Sequence, residues 1–216
     1  MAEPRVRRIG VTMRVEHAAG HGERRDALAH DWSRFLAAVL PEVAWMPIAN
    51  VGEGVVDLVR RWQLDAYLLS GGNDLATEPV RDRTETCLLE DACARGVPVI
   101  GVCRGLQVVQ HWLGGPLTAC AGDGHLARTH AVTITDGAPY GRPSGARLEV
   151  NSYHRFAVAQ GTAADGLREF AVADDGIVEG VYHRDAPIVA LQWHPERGAV
   201  RDADRRLVRR WLGLPA

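Results

Sequence analysis

The feature that most constrains the fold is an alternation of short apolar runs with helix-length segments in the first half of the chain. Short apolar strands that alternate with helices form βαβ units, in which the strands lie parallel. Several helical stretches end at glycine or proline, which limits them to ordinary lengths. We expect strands over residues 7–13, 43–48, 66–69 and 97–102, and helices over 26–40, 55–62, 84–95 and 106–113.

The second half of the chain changes character. Its apolar segments are separated by Gly, Asp and Pro turns with no helix between them, which indicates antiparallel pairing. We expect strands over residues 131–135, 147–150, 167–173, 177–182 and 188–193, a surface loop over 137–145 and an arginine-rich final helix over 202–212. The predicted fold is α/β: an open, mostly parallel sheet flanked by helices, with a mixed or antiparallel extension in the C-terminal half. With 216 residues, the chain 1–216 is expected to form a single domain.

Composition argues against several classes of function. The net charge is −2 at pH 7, so we expect no nucleic-acid partner and no membrane partner. No apolar run reaches the roughly 18 residues of a membrane span, and no signal-peptide pattern follows the N-terminus. The four cysteines lack the paired spacing of a zinc site. We therefore expect a cytoplasmic protein with reduced thiols, no metal and no cofactor.

A cysteine lies at the junction between an apolar strand and a helix. Gly101, Cys103 and Gly105 form the pattern G-x-C-x-G, the thiol counterpart of the nucleophile elbow. The turn brings backbones so close together that side chains at both glycine positions would clash. The helix dipole favours a thiolate at this position, and the backbone N–H of Arg104 is free to bind an oxyanion. A buried structural cysteine in an ordinary turn is the alternative.

A cysteine nucleophile needs an imidazole base and a group that orients this base. His194 and Glu196 flank one proline and follow the strand predicted over residues 188–193, so they reach the same sheet edge as Cys103. Zinc deaminases also contain H-x-E, but they require a P-C-x-x-C downstream, and no cysteine follows His194. A simple turn histidine remains the alternative.

Separated motifs between about Ile9 and Glu196 occur in one characteristic order. They are Ser70-Gly71-Gly72-Asn73-Asp74, Val99-Ile100-Gly101-Val102-Cys103-Arg104-Gly105-Leu106-Gln107, Asn151-Ser152-Tyr153-His154 and Gln192-Trp193-His194-Pro195-Glu196. This order resembles the class I glutamine amidotransferase family, and more narrowly its stand-alone γ-glutamyl hydrolases related to γ-glutamyl-γ-aminobutyrate hydrolase. The resemblance implies a flavodoxin-like arrangement of the sheet.

The resemblance also implies a role for each matching residue. Cys103 attacks a γ-glutamyl carbonyl and forms a thioester, His194 transfers the protons and activates water, and Glu196 orients His194. The oxyanion hole is expected to consist of the backbone N–H groups of Gly72 and Arg104. Contacts with the glutamyl substrate are expected from Gly71, Asn73, Gln107, Ser152, Tyr153 and His154.

Two departures from the family pattern concern the leaving group. The segment after Asp74 is short, and Arg155 and Phe156 follow His154 where a second histidine is common. Both features are similar to a branch that hydrolyses γ-glutamyl-CDP-amidate during the phosphoramidate decoration of surface polysaccharides. Because arginine forks suit phosphate oxygens, the candidate phosphate contacts are Arg81, Arg83, Arg128 and Arg155, with ordinary surface arginines as the alternative.

Other functions remain open at this point. They are a γ-glutamyl-γ-aminobutyrate hydrolase of polyamine breakdown, a glutaminase subunit that supplies ammonia to a separate synthetase, and a non-catalytic γ-glutamyl-binding protein. The expected partner is a small-molecule γ-glutamyl substrate, and a homo-oligomer is left open. His125 and His130 have the spacing of a metal motif, but the sequence reveals no third ligand, and we interpret His130 as structural.

Overall fold

The computed structural model describes residues 8–20, 22–122 and 124–215. The strands are β1 Arg8–Thr12, β2 Arg14–His17, β3 Arg24–Ala27, β4 Ala44–Ile48, β5 Ala66–Leu69, β6 Val99–Val102, β7 Thr118–Ala119, β8 Leu126–Ile134, β9 Arg147–Tyr153, β10 Phe156–Ala159, β11 Leu167–Ala173, β12 Ile177–His183 and β13 Ile188–Leu191. The helices are α1 His30–Val39, α2 Val55–Arg61, α3 Pro79–Arg95, α4 Arg104–Trp112, α5 Gly137–Tyr140 and α6 Asp202–Trp211.

The main sheet is parallel at one end and antiparallel at the other. Strands β4, β1, β5, β6 and β13 lie side by side in that order and run parallel. The sheet continues from β13 through β12, β11, β8 and β9 with antiparallel pairing. Counted along the chain, the parallel strands have the flavodoxin-like order 2-1-3-4-5. The predicted fold class is therefore confirmed, including the antiparallel extension.

Apolar side chains pack on both faces of the parallel strands, as their continuous apolar runs require. Helices α1 and α6 contribute to the core on one face, while α2, α3 and α4 contribute to the core on the other. Every residue of β5, β6 and β13 is buried. Within the described ranges, no helix combines the length and the apolar character needed to cross a bilayer.

The register aligns the carboxyl ends of three neighbouring strands. Leu69 of β5 pairs with Gly101 of β6, and Val102 of β6 pairs with Leu191 of β13. The segments that follow these strands begin at Ser70, Cys103 and Gln192 and therefore emerge side by side at one edge of the sheet. This edge is where parallel α/β sheets place their ligands.

Two helix starts differ from the sequence prediction by more than two residues. The helix predicted from Asp26 begins at His30, because Arg24–Ala27 pairs with Arg14–His17 in a two-stranded antiparallel sheet. The Asp26 carboxylate instead accepts hydrogen bonds from the backbone and side chain of Asn50. Helix α3 begins at Pro79, five residues before its predicted start at Thr84. Proline is well suited to the first helical turn, where its missing N–H has no partner to lose.

The antiparallel region also contains more structure than predicted. The supposed loop over residues 137–145 contains helix α5, whose buried Tyr140 hydroxyl donates a 2.8 Å hydrogen bond to Asp204. Strand β8 begins at Leu126, five residues earlier than expected, and β9 extends to Tyr153. His130 is therefore part of a strand, and most of the motif at residues 151–154 is strand as well.

Candidate active site

The predicted elbow is present at Cys103. This residue has φ +54° and ψ −103°, a conformation that side-chain-bearing residues rarely adopt, and its N–H donates a 2.7 Å hydrogen bond to the Leu191 carbonyl. A Cβ on Gly105 would lie 2.4 Å from the Leu69 carbonyl oxygen. A Cβ on Gly101 would lie 2.8 Å from the carbonyl carbon of Gly105. The close approach inferred from the two glycines is therefore confirmed.

His194 and Glu196 lie beside this elbow. His194 Nδ1 is 2.6 Å from Glu196 Oε1, and both residues are buried. A Cβ on Gly71 would lie 2.7 Å from His194 Cε1 and 3.5 Å from both His194 Nε2 and Cys103 Cβ. Residues 70–74, which follow β5 and which we call the glycine loop, thus pass directly over the cysteine and the imidazole. The carboxylate occupies Nδ1, which leaves Nε2 facing this space.

The charges in the site favour a protonated imidazole. Burial by itself lowers the pKa of His194, but the negative Cys103 sulfur, a hydrogen bond with this sulfur and the Glu196 carboxylate raise the pKa to about 9. His194 therefore carries a proton at neutral pH. An imidazolium beside a cysteine is an arrangement that supports nucleophilic thiol chemistry.

Asn151 holds the histidine through the backbone. Its side-chain oxygen accepts a 2.8 Å hydrogen bond from the His194 N–H, and its amide nitrogen donates a 2.9 Å bond to the His194 carbonyl. Asn151 belongs to one of the motifs that carry the family resemblance, but no role was expected for its side chain. The position of Asn151 in this motif indicated that the residue matters. Its contact with His194, 43 residues away in the chain, could not be predicted from the sequence.

Arg81 organises the loop above the site. Its guanidinium donates to the carbonyl oxygens of Ser70 at 2.8 Å and Gly71 at 3.1 Å, and to Asn73 Oδ1 at 3.0 Å. The residue is fully buried. Its assignment as a surface or phosphate-contacting arginine was therefore wrong, because the loop occupies its donors. No sequence signal distinguished Arg81 from its exposed neighbour Arg83, which pairs with Glu53.

A buried carboxylate links this loop to the elbow helix. Glu85 accepts hydrogen bonds from Arg81 Nε at 3.1 Å and from Thr12 Oγ1 at 2.7 Å, and it also pairs with Arg104. Arg104 pairs with Asp82 as well. Two guanidinium groups and two carboxylates thus join α3 to the first residue of α4. The chain segments that carry Gly71 and Cys103 are held in one arrangement as a result.

Two backbone N–H groups are available near the cysteine. Among the residues that the structure describes, neither the N–H of Gly72 nor that of Arg104 donates a hydrogen bond. Gly72 has φ +130°, and a Cβ there would lie 2.7 Å from both Arg14 Cβ and Arg81 Nη1, so the position requires glycine. The expected oxyanion hole remains a prediction that this geometry permits.

The expected substrate contacts divide into two groups. The Tyr153 ring lies 5.6 Å from the His194 ring, edge to face, and the Arg197 guanidinium lies 4.1 Å from the Tyr153 ring centroid. Gly71 and Tyr153 therefore border His194. Gln107 is buried next to the elbow, and its amide donates a 2.7 Å hydrogen bond to the Phe156 carbonyl, so this amide group already binds β10.

Three side chains assigned to substrate binding have other partners. Asn73 exchanges hydrogen bonds with the backbone of Val15 and thereby ties the glycine loop to β2. Ser152 points to the opposite side of β9 from Asn151 and Tyr153 and bonds the His125 carbonyl. His154 is buried beside Cys120. These contacts occupy the side chains, and the assignment of the three residues to substrate binding stays a prediction.

Comparison with known families identifies the group to which this architecture belongs. Residues 8–196 match the family described as Peptidase C26. The chain belongs to the Peptidase C26 family. The resemblance found in the sequence motifs is thereby confirmed, and the family supports a hydrolase of the glutamine amidotransferase type.

Relatives with named functions agree with the Peptidase C26 assignment. The chain is 27% identical over 197 residues to the γ-glutamyl-CDP-amidate hydrolase of Campylobacter jejuni, with 88% of this chain and 90% of the relative covered. It is 35% identical over 159 residues to a Mycobacterium tuberculosis protein provisionally named a glutamine amidotransferase, with 62% of this chain and 51% of that protein covered.

Solved structures share the fold of this Peptidase C26 chain. A Thermoplasma acidophilum protein, provisionally named as one component of GMP synthase, aligns with a TM-score of 0.70 at 21% identity, covering 96% of this chain and 93% of that chain. A glutamine amidotransferase from Thermotoga maritima aligns with a TM-score of 0.63 at 16% identity, covering 96% and 81%. At these identities the likeness is one of fold alone.

The role of Arg81 can be tested by stability. Replacement Arg81→Leu removes the cation between Glu85 and the loop carbonyls, and we expect the free energy of unfolding to fall by about 3–5 kcal/mol, because a buried carboxylate loses its partner. Arg83→Leu, on the same helix but exposed, should leave this free energy nearly unchanged. Urea denaturation of both variants measures the difference. Equal stability of the two variants would contradict the assigned role.

Proposed function

We propose that this protein hydrolyses a γ-glutamyl amide through a γ-glutamyl thioester on Cys103. The carrying observation is the placement of His194 between the elbow cysteine and the Glu196 carboxylate, under a glycine loop. Support comes from the Peptidase C26 match and from the C. jejuni relative, which is named for γ-glutamyl hydrolysis. A protein that only binds a γ-glutamyl group has no need of this charge arrangement.

In the first half of the reaction, the Cys103 sulfur attacks the γ-carbonyl carbon of the substrate. The N–H groups of Gly72 and Arg104 donate to the oxygen as it becomes negative. His194, protonated at neutral pH, gives its Nε2 proton to the leaving nitrogen, and the C–N bond breaks. The products of this half are a free amine or amidate and a γ-glutamyl thioester.

In the second half, a water molecule takes the place of the leaving group. His194, now neutral, removes a proton from this water, and the hydroxide attacks the thioester carbonyl carbon. The C–S bond breaks, glutamate leaves and the Cys103 thiolate returns beside a protonated His194. Glu196 stabilises the imidazolium at both ends of the cycle through the 2.6 Å contact with Nδ1.

A covalent label tests the nucleophile directly. We expect the glutamine-mimicking electrophile 6-diazo-5-oxo-norleucine to add one adduct per chain, located on Cys103 by peptide mass spectrometry. The Cys103→Ala variant should form no adduct and should have no hydrolase activity. Cys93→Ala, which removes an exposed cysteine, provides the matched control and should keep both properties. A folded protein that is labelled elsewhere, or not at all, would exclude this mechanism.

The pH profile tests the imidazolium. Because His194 must be protonated to release the leaving group and its pKa is raised to about 9, kcat/KM should be sustained up to about pH 9 and fall above it. Glu196→Gln removes a carboxylate that raises this pKa, so the alkaline limb should move to lower pH and kcat should drop by about 10²-fold. The control Glu149→Gln, on the exposed face of β9, should keep the wild-type profile. An unshifted limb in Glu196→Gln would argue against the assigned pair.

For the leaving group, we infer a nucleoside diphosphate amidate, as in γ-glutamyl-CDP-amidate, used in surface polysaccharide decoration. Arg128 is exposed and lines a depression with Asn151 and Tyr153, next to the triad. Among the described residues, Arg128 has no ion-pair partner, so its guanidinium group remains available to phosphate oxygens. Arg197 lies on the Tyr153 ring and adds a second positive charge. The C. jejuni relative carries the name of this activity.

A pair of substrates separates the leaving group from the chemistry. Arg128→Gln should raise KM for γ-glutamyl-CDP-amidate by about 10-fold or more, because a charged hydrogen bond is lost. Its KM for γ-glutamyl-p-nitroanilide, whose leaving group carries no phosphate and no charge, should be unchanged. Arg61→Gln, an exposed arginine on α2, should affect neither substrate. Ready cleavage of γ-glutamyl-γ-aminobutyrate, with no turnover of the nucleotide amidate, would overturn the substrate assignment and leave the thioester mechanism standing.

A further inference from the structure

A second group of titratable side chains lies apart from the triad. His125 precedes β8, His130 is in β8, His154 follows β9 and Glu179 is in β12. We call these four residues the histidine cluster. Glu179 is fully buried, His125 and His154 are 3% and 4% exposed, and the His130 side chain is 17% exposed. Strands that are distant in sequence thus bring three imidazoles to one carboxylate.

The ring nitrogens surround a single carboxylate oxygen. Glu179 Oε1 lies 3.2 Å from His130 Nε2, 3.3 Å from His154 Nε2 and 3.7 Å from His125 Nδ1. Four ligand atoms at about 2.0–2.1 Å from a tetrahedral Zn²⁺ are separated from each other by about 3.3 Å. The distances from Glu179 Oε1 are close to this value, and the ligand atoms of His125, His130 and Glu179 all lie within 4.8 Å of one another. Cys120 lies at the margin of the cluster, with its sulfur 3.5 Å from His154 Nδ1.

These short separations are not hydrogen bonds. Among the described residues, His130 Nε2, His154 Nε2 and both oxygens of Glu179 have no hydrogen-bond partner, although all four atoms are buried. The N–H directions therefore miss the oxygen. A buried carboxylate without a hydrogen bond or a compensating cation is strongly unfavourable. A cation that shares the lone pairs of His130 Nε2 and Glu179 Oε1 gives both atoms a partner at once.

The outer contacts prepare His125 for such a role. Its Nε2 lies 2.7 Å from Asp175 Oδ2, and its Nδ1 lies 3.3 Å from Ser152 Oγ and 3.7 Å from Glu179 Oε1. Ligating histidines in metalloproteins commonly donate their other N–H to a carboxylate in this way, which fixes the tautomer and the ring orientation. Only the neutral imidazole can donate a lone pair to a metal.

We propose that the histidine cluster binds one divalent transition-metal ion, with Zn²⁺ as the metal that best suits its N/O donors. The ligands are Glu179, His125 and His130, whose ligand atoms all lie within 4.8 Å of one another, and His154 lies at the margin of the site. The ion links β12 to β8 and to the residue that precedes β8. None of these three ligands takes part in the proposed reaction, and the site is separate from Cys103. The sequence showed only the pair His125 and His130, because Glu179 lies 49 residues further along the chain.

The link to the triad is structural. Glu179 accepts a 2.8 Å backbone hydrogen bond from Gln192, whose side chain lies 3.7 Å from the Cys103 sulfur. Strand β8, which carries His130, pairs with β9, which carries Asn151, the residue that holds the His194 backbone. An ion at the cluster would therefore fix strands on which the position of His194 depends. It would act through these positioning residues and would not touch the substrate.

The test uses the Cys103→Ala protein with a tag that contains no histidine, so that neither the active-site thiol nor the tag binds metal. We expect about one zinc per chain by plasma mass spectrometry after gel filtration. Removal of zinc by a chelator should lower the melting temperature, and ZnCl₂ at about 100 times its Kd should raise it by about 5–10 °C. Calorimetric titration of the chelated protein should give one site.

Three variants in the same background decide the location of the ion. Glu179→Gln and His130→Asn should each lose stoichiometric zinc and the zinc-dependent rise in melting temperature. His111→Asn, at an exposed position on α4, should retain both. His130 is partly exposed, so its variant reports even where Glu179→Gln does not fold. Absence of stoichiometric zinc in the parent, or equal binding by His130→Asn, would overturn the proposal in favour of a metal-free cluster neutralised by a protonated imidazole.

Discussion

The close packing of the elbow against the neighbouring strands is the constraint on which the rest of this structure depends. Gly105 lies against the Leu69 carbonyl and Gly101 against the first turn of α4, so these backbones meet without intervening side chains. The approach brings the carboxyl ends of β5, β6 and β13 into one small region. Cys103, the glycine loop and His194 are adjacent because the three strand ends that carry them are adjacent.

The close packing alone does not fix the shape of the glycine loop, which also depends on buried charged groups. The glycine loop has few side chains with which to hold its own shape, and Arg81 supplies the missing hydrogen bonds from below. Glu85 pairs with both Arg81 and Arg104, and Asp82 pairs with Arg104, so the loop and the elbow helix share one buried ion network. Buried charges destabilise a fold unless they are fully paired. We therefore expect the loop to adopt this one arrangement or to lose it entirely, without stable intermediates.

The sequence predicts the parallel part of the fold well, because continuous apolar runs and glycine punctuation are local signals. It also predicts Cys103, His194 and Glu196, whose motifs lie directly after strands. It fails where partners are distant: Asp26 and Ala27 were predicted to begin a helix, but they belong to β3, which pairs with Arg14–His17. Arg81 resembled any surface arginine for the same reason, since burial depends on a loop that local pattern does not describe.

Strand β9 connects the candidate active site with the histidine cluster. Side chains alternate across a strand, so Asn151 and Tyr153 face the triad while Ser152 faces the histidine cluster. A change of register by one residue would exchange these faces and disrupt both sites together. The motif at residues 151–154 therefore carries two kinds of information. Asn151 positions the base, and Ser152 lies against His125, so the two faces of the motif contribute to different sites.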